Sequence, residues 1–158
     1  MPFYYPNWIN DFWRIMGIIH FGEKNHFCRP GEKRFDEARI RQFCTDAGLA
    51  FYDTACEVRR LKDNASDAFL EVVSPTDVTA LLNRIPSCST IVTTGQKSTE
   101  VLSNVLDCEA PPFGGYTNLG KFRFWRMPST SRAYPLPLDK KAEAYRRLFE
   151  QSNIDTQQ

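Results

Sequence analysis

Metal-ligating side chains are scarce in this chain. Its two histidines, His20 and His26, lie six residues apart, and the five cysteines at 28, 44, 56, 88 and 108 form no C-x-x-C pair. His26 and Cys28 are close together, but no second ligand cluster follows at zinc-finger spacing, so a metal is not expected. An odd, scattered set of thiols reads as reduced cysteine. Together with the lack of a basic-then-apolar leader, this points to a cytoplasmic protein, in which the Asn64-Ala65-Ser66 sequon carries no meaning. No stretch approaches the ~18 consecutive apolar residues of a membrane span, so no membrane partner is expected. A dominant charge sign is missing as well: 20 Lys and Arg against 19 Asp and Glu leave +1. A nucleic-acid partner must then be held by a local patch rather than by the field of the whole molecule. Gly95-Gln96-Lys97-Ser98 has the GxKS end of a P-loop without its earlier glycine, which argues against a nucleoside triphosphatase.

Ring-bearing side chains, by contrast, are plentiful. Aromatics make up 13% of the 158 residues, more than a core of this size needs, so some rings are candidates to line a groove or pocket. The length suits one domain able to bury a core without disulfide or metal staples. Hydrophobic residues at 42% and charged residues at 25% match an ordinary globular protein.

Residues 1–9, with Pro2 and Pro6, read as a loop or extended arm. Phe12, Ile15, Met16 and Ile19 fall at helical spacing behind a cap at Asn10 or Asp11. Gly22–Arg34 reads as a loop, and Asp36–Ala47 as a helix stopped by Gly48. Leu49–Tyr52 is apolar enough for a buried strand, Cys56–Asp63 is polar and charged, and Asn64–Val72 suits a short helix. Ser74-Pro75-Thr76-Asp77 opens another helix, with Val78, Leu81, Leu82 and Ile85 as its face. The β-branched run Thr90–Thr94 is a strand, Gly95 turns it into a helix over 97–106, and Pro111–Gly115 is a loop. Phe122–Met127 alternates as a strand and Pro128 ends it. A last helix covers Asp139–Gln151, followed by a polar tail, Ser152–Gln158. Strands alternating with helices imply a single α/β domain over 1–151, a three-layer αβα arrangement around a short, mainly parallel central sheet.

In such a sheet, ligands bind beyond the carboxyl ends of the strands. Three such ends are Tyr52-Asp53-Thr54, Thr94-Gly95-Gln96-Lys97 and Pro128-Ser129-Thr130-Ser131-Arg132. The last offers hydroxyls, backbone amides and a guanidinium fork suited to a phosphate, with a plain turn as the alternative. Asp53 is either a general base for water or the cap of the next turn. A fourth segment, Tyr4 to Trp13, sets rings beside carboxamides, which suits a nucleobase. Its alternative is structural: Phe12 and Trp13 as helix core, with Asn10 as cap. Lys140, Lys141, Arg146 and Arg147 on the last helix read as a solvated face, with contact to DNA phosphates as the alternative.

Taken in order, these segments resemble the uracil-DNA glycosylase superfamily, nearest to its hypoxanthine- and mismatch-specific branch. Tyr4 to Ile15 is similar to that branch's Pro, Asn, aromatic and Trp run before a helix. Gly48–Thr54 is similar to its G-[IL]-x-x-x-D-[VT] strand, Ile91–Lys97 to a strand ending in G-x-K, and Met127–Ala133 to its P-S-T-S-P-A signature, with Arg132 replacing the second proline. The resemblance implies a glycosylase that flips uracil or another deaminated base from double-stranded DNA and hydrolyses its N-glycosidic bond, acting as a monomer without a cofactor. Asn10 would contact the base or a catalytic water; Tyr4 or Tyr5 would stack on the base, with Phe12 and Asp53 also lining its site. Pro128, Ser129, Thr130, Ser131, Arg132 and Lys97 would bind DNA, the loop gripping the backbone. Two departures come with it. The family's first strand, with its Gly-[Ser/Ile]-x-Pro loop, has no counterpart here, and Met127 stands where some branches carry His or Asn. A non-catalytic nucleotide- or nucleic-acid-binding α/β domain is the alternative.

Overall fold

The computed structural model describes residues 3–52, 55–60, 70–75 and 77–156, and the side chains of 3–52 and 77–151. Along the chain run α1 (Phe12–Phe21), α2 (Glu37–Ala47), β1 (Ala55–Arg60), β2 (Leu70–Pro75), α3 (Val78–Asn83), β3 (Thr90–Thr94), α4 (Gln96–Val105), β4 (Tyr116–Leu119), β5 (Phe122–Met127) and α5 (Leu138–Thr156). They fall into two compact units, one of residues 1–51 with 129–158 and one of residues 52–128.

The first unit is helical. α1 is apolar nearly all round, and Phe12, Trp13, Ile15 and Met16 are all buried; a helix with so little polar face belongs in a core. It packs against α5, whose Ala142, Tyr145 and Leu148 supply the facing seam. α2 starts where the Asp36 carboxylate accepts the Arg39 N–H at 3.1 Å and stops at Gly48, where φ is +71°. Its Ile40 and Phe43 join Phe27 and Phe35 in the same core. Each such side chain contributes about 1.5–3 kcal/mol on burial.

The second unit holds a three-stranded sheet in the order β3-β5-β4, β3 pairing parallel and β4 antiparallel with β5. β1 and β2 form a separate antiparallel pair. Phe124, Trp125 and Met127 of β5 and Val101 and Leu102 of α4 are among its buried apolar residues. Where the parallel pair ends, the Gly95 N–H donates to the Met127 carbonyl at 2.9 Å, and Thr93 and Thr99 share a buried hydroxyl contact of 2.8 Å.

The mixture of helix and strand agrees with an α/β class, but four sequence expectations need correction. The sheet is mixed rather than mainly parallel, because Gly120 and Lys121 join β4 to β5 by a two-residue turn, Gly120 taking φ +62°; so short a link can only make an antiparallel pair. Leu49–Tyr52 is not a strand: no described segment pairs with it, Tyr52 is 57% exposed, and the Phe51 ring is spent on an aromatic cluster. Of the short helix expected over 64–72, residues 70–72 are strand, since Val72 and Val73 suit a pleated ladder and β1 lies alongside; residues 64–69 lie outside the described residues. Finally, α5 continues to Thr156, through most of the stretch read as a tail.

Candidate functional site

In the first unit two segments far apart in the sequence meet as a short ladder. Asn10 and Ser131 form an antiparallel bridge, with the Asp11 N–H donating to the Thr130 carbonyl at 2.8 Å and the Arg132 N–H to the Ile9 carbonyl at 3.1 Å. Pro128 ends β5 because it has no N–H to extend the ladder. Beyond it the hydroxyls shape the backbone: Ser129 Oγ accepts the Ser131 N–H at 3.3 Å, and Ser131 Oγ accepts the Ala133 N–H at 3.2 Å. The segment is therefore a turn, as its composition suggests, and that turn lies directly beside Asn10.

The Asn10 side chain also has a local task. Its Oδ1 accepts the Phe12 N–H at 2.9 Å, capping α1 in place of Asp11, whose own side chain makes no cap. With Oδ1 so engaged, the NH2 end is the one left to face a ligand. The arm before it is pinned where Trp13 Nε1 donates to the Tyr4 carbonyl at 2.9 Å. Tyr4 stacks on Phe51 at 5.4 Å, and Tyr5, held at φ +55°, stacks on Phe12 at 4.7 Å. The rings singled out for base stacking thus pack on one another, Phe12 inside the core and the two tyrosines half-buried. Beneath them burial holds the Tyr145 phenol well above its ordinary value, the nearby Tyr5 adding to the effect.

The electrostatic centre is Asp11, a buried carboxylate shared by three cations. Arg14 Nη1 is 3.1 Å from Oδ1, Arg132 Nε is 3.2 Å from the same atom, and Lys141 Nζ is 3.7 Å from Oδ2. Lys141, 1% exposed, also donates to the Ser131 carbonyl at 2.9 Å, so it ties α5 to both halves of the ladder. Arg14 reaches the Asn10 carbonyl at 3.1 Å and lies over the rings of Trp8 and Phe35, while its buried Nη2 has no hydrogen-bond partner among the described residues. Desolvation lowers the Arg14 pKa, Arg132 lowers it further, and Asp11 partly offsets both. Three positive groups on one negative group leave the cluster at +2.

Sequence reasoning nominated Asn10 and the 128–132 loop but not Arg14, and it placed Lys141 on a solvated face. That placement is wrong: Leu138, Lys141, Tyr145 and Leu148 recur at three- and four-residue spacing, which sets Lys141 on the apolar seam. The phase was readable; the lysine's charge outweighed it. Arg132 is engaged at Nε, and half of its side chain is exposed.

Among the other nominated residues, Lys97 stands half-buried on the first turn of α4 in the second unit, Pro128 is fully buried, and Asp53 lies outside the described residues. Met127 is 1% exposed. Burial pushes the thiols of Cys28, Cys44 and Cys108 up. No group of three or more His, Cys, Asp or Glu able to hold a metal occurs among the described residues, and no described helix is long and apolar enough to cross a membrane. No protein-family model, curated protein or solved structure matches the chain.

Proposed function

We propose that this protein is a DNA glycosylase of the uracil-DNA glycosylase type, flipping uracil or another deaminated base from double-stranded DNA and hydrolysing its N-glycosidic bond. The observation that carries the reading is the bridge between Asn10 and Ser131, which joins an amide suited to a base edge to a hydroxyl-rich turn suited to the backbone. The direction of the Asn10 amide adds to it. An NH2 end that donates suits the keto oxygen of uracil or hypoxanthine and is mismatched to the amino groups of cytosine and adenine. In the reaction, a water oxygen bonds to C1′ as the C1′–N bond breaks, and the base leaves with that electron pair and takes up a proton. Asn10 would hold the base or the water. Ser129, Thr130, Ser131 and Arg132 would grip phosphates. Flipping costs a few kcal/mol, of which a single aromatic stack returns about 1–3 kcal/mol. The reading carries with it a three-layer αβα arrangement and a monomer working in the cytoplasm.

One observation favours a second reading, a non-catalytic nucleic-acid-binding domain. Asp11, the carboxylate next to Asn10, is occupied by three cations and unsuited to activating water. Release of free base from uracil- and hypoxanthine-containing duplexes, in the presence of EDTA, separates the two. The glycosylase reading expects release in the parent and none in Asn10→Asp, which keeps the cap oxygen but loses the donor. Salt-sensitive duplex binding without release supports the second reading; neither binding nor release overturns both.

A further inference from the structure

Between Glu109 and Pro128 the chain contains Lys121, Arg123 and Arg126 and no acid, a local +3 within a total of +1. All three belong to the β4–β5 ribbon of the second unit, and each sits over a ring. Arg123 lies 4.7 Å from the centre of Tyr116, Lys121 5.0 Å from Phe122, and Arg126 6.0 Å from Phe113. Phe113 is 55% exposed. Its loop is held against β5 as an extension of β4, since the Gly114 N–H donates to the Arg126 carbonyl and the Arg126 N–H to the Gly115 carbonyl, both at 2.9 Å. Strand alternation sets Phe122 and Arg126 on the same face of β5, about 13 Å apart, a span longer than one nucleotide. Among the described residues neither Lys121 nor Arg126 forms a salt bridge.

We propose that the β4–β5 ribbon is a nucleic-acid surface separate from the Asn10–Ser131 site and that it takes a single strand, with a base stacked on Phe113 and phosphates on Lys121 and Arg126. Charge complementarity selects a polyanion. The exposed ring selects unpaired bases, because a paired base has no face to offer. A guanidinium over a ring completes the pattern, adding a cation–π contact to the phosphate contact. Every base has a π-face, so such a surface is sequence-tolerant. The inference uses only residues of the second unit and does not rest on the glycosylase reading.

The test is fluorescence anisotropy of the full chain with a labelled 15-nucleotide oligo-dT at 50–200 mM NaCl. The parent is expected to bind with steep salt dependence. Phe113→Ala should weaken binding about 5- to 150-fold, the value of one aromatic stack. The double variant Lys121→Gln/Arg126→Gln should flatten the slope of log K against log salt by about 1.4, two phosphate contacts at ~0.7 each. Both variants should keep the parent's melting midpoint, since none of these side chains is in the core. Base release and oligo-dT binding are read separately in the parent and in both ribbon variants, so that failure of the glycosylase reading remains distinguishable. The inference is overturned by no binding at 50 mM salt, by unchanged affinity in both variants, by equal affinity for a duplex of the same length, or by tighter binding to phosphatidylserine vesicles, which would make the patch a membrane surface.

Discussion

Replacing Asp11 by Asn keeps the shape of the side chain and removes the only carboxylate that Arg14 and Lys141 share. Both cations are nearly sealed from water, with side chains 5% and 2% exposed, and neither has another acid within reach among the described residues. Removing one partner of a buried pair costs about 3–5 kcal/mol, because the remaining charge stays desolvated. Arg132, with half of its side chain in solvent, adds at most about 1 kcal/mol. For a chain of this size each kcal/mol moves the melting midpoint by roughly 2–4 °C, so Asp11→Asn should melt roughly 6–24 °C below the parent. Urea unfolding at pH 7, followed by tryptophan fluorescence, measures the same loss, with the buried Trp13 as reporter. High salt should not rescue the variant, since screening acts on exposed charges. Lys141→Met removes one of the stranded cations, so in the double variant the two costs should fall short of their sum by about 0.5–3 kcal/mol. A single-variant loss below about 1 kcal/mol, or strictly additive costs, would refute the picture of Asp11 as a shared counter-ion.

Two further predictions concern the core. Because Tyr145 is held protonated by burial, an unfolded chain releases that proton near pH 10 while the folded one keeps it. The stability tied to this group is therefore whole below about pH 10 and falls by ~1.4 kcal/mol per pH unit above it, up to the raised folded value. Urea midpoints between pH 8 and 11 should fall less in Tyr145→Phe than in the parent, and identical slopes would contradict the assignment. In α1, a Cβ on Gly17 would run into the Glu23 carbonyl oxygen. Gly17→Ala should therefore lower the melting midpoint, the clash costing about 1–3 kcal/mol against the ~1 kcal/mol that alanine gains in a helix. A midpoint equal to or above the parent's would show that the turn after α1 yields freely.

Much of the fold was legible where one local signal dominated. α2 is bracketed by Asp36 and Gly48, β3 is a β-branched run, and α4 follows a turn glycine, so each is where its residues put it. β4 escaped notice because Tyr116–Leu119 is four residues long and lacks apolar alternation; its signal was the Gly120 turn and the strand that follows. Leu49–Tyr52 misled for the opposite reason: its composition suits a strand, but a strand exists only with a neighbour to bond. In the candidate site, Asn10 and the 128–132 loop could be nominated separately, whereas their pairing is a long-range fact that no local pattern carries. The least legible feature was the charge cluster, because burial of Lys141 depends on an acid 130 positions earlier.

That distance also bears on how the chain comes to be folded. Asp11 and α1 are synthesised before Arg132 and Lys141, which follow Asp11 by 121 and 130 positions. At about 5–20 residues per second, roughly 6–26 s separate them on the ribosome. Throughout that interval a helix apolar on nearly every side has neither α5 to cover it nor the cations that neutralise its first acid. On the ribosome, then, α1 and the Asn10 half of the ladder wait for partners made more than 120 positions later, and the apolar helix stays uncovered until they arrive.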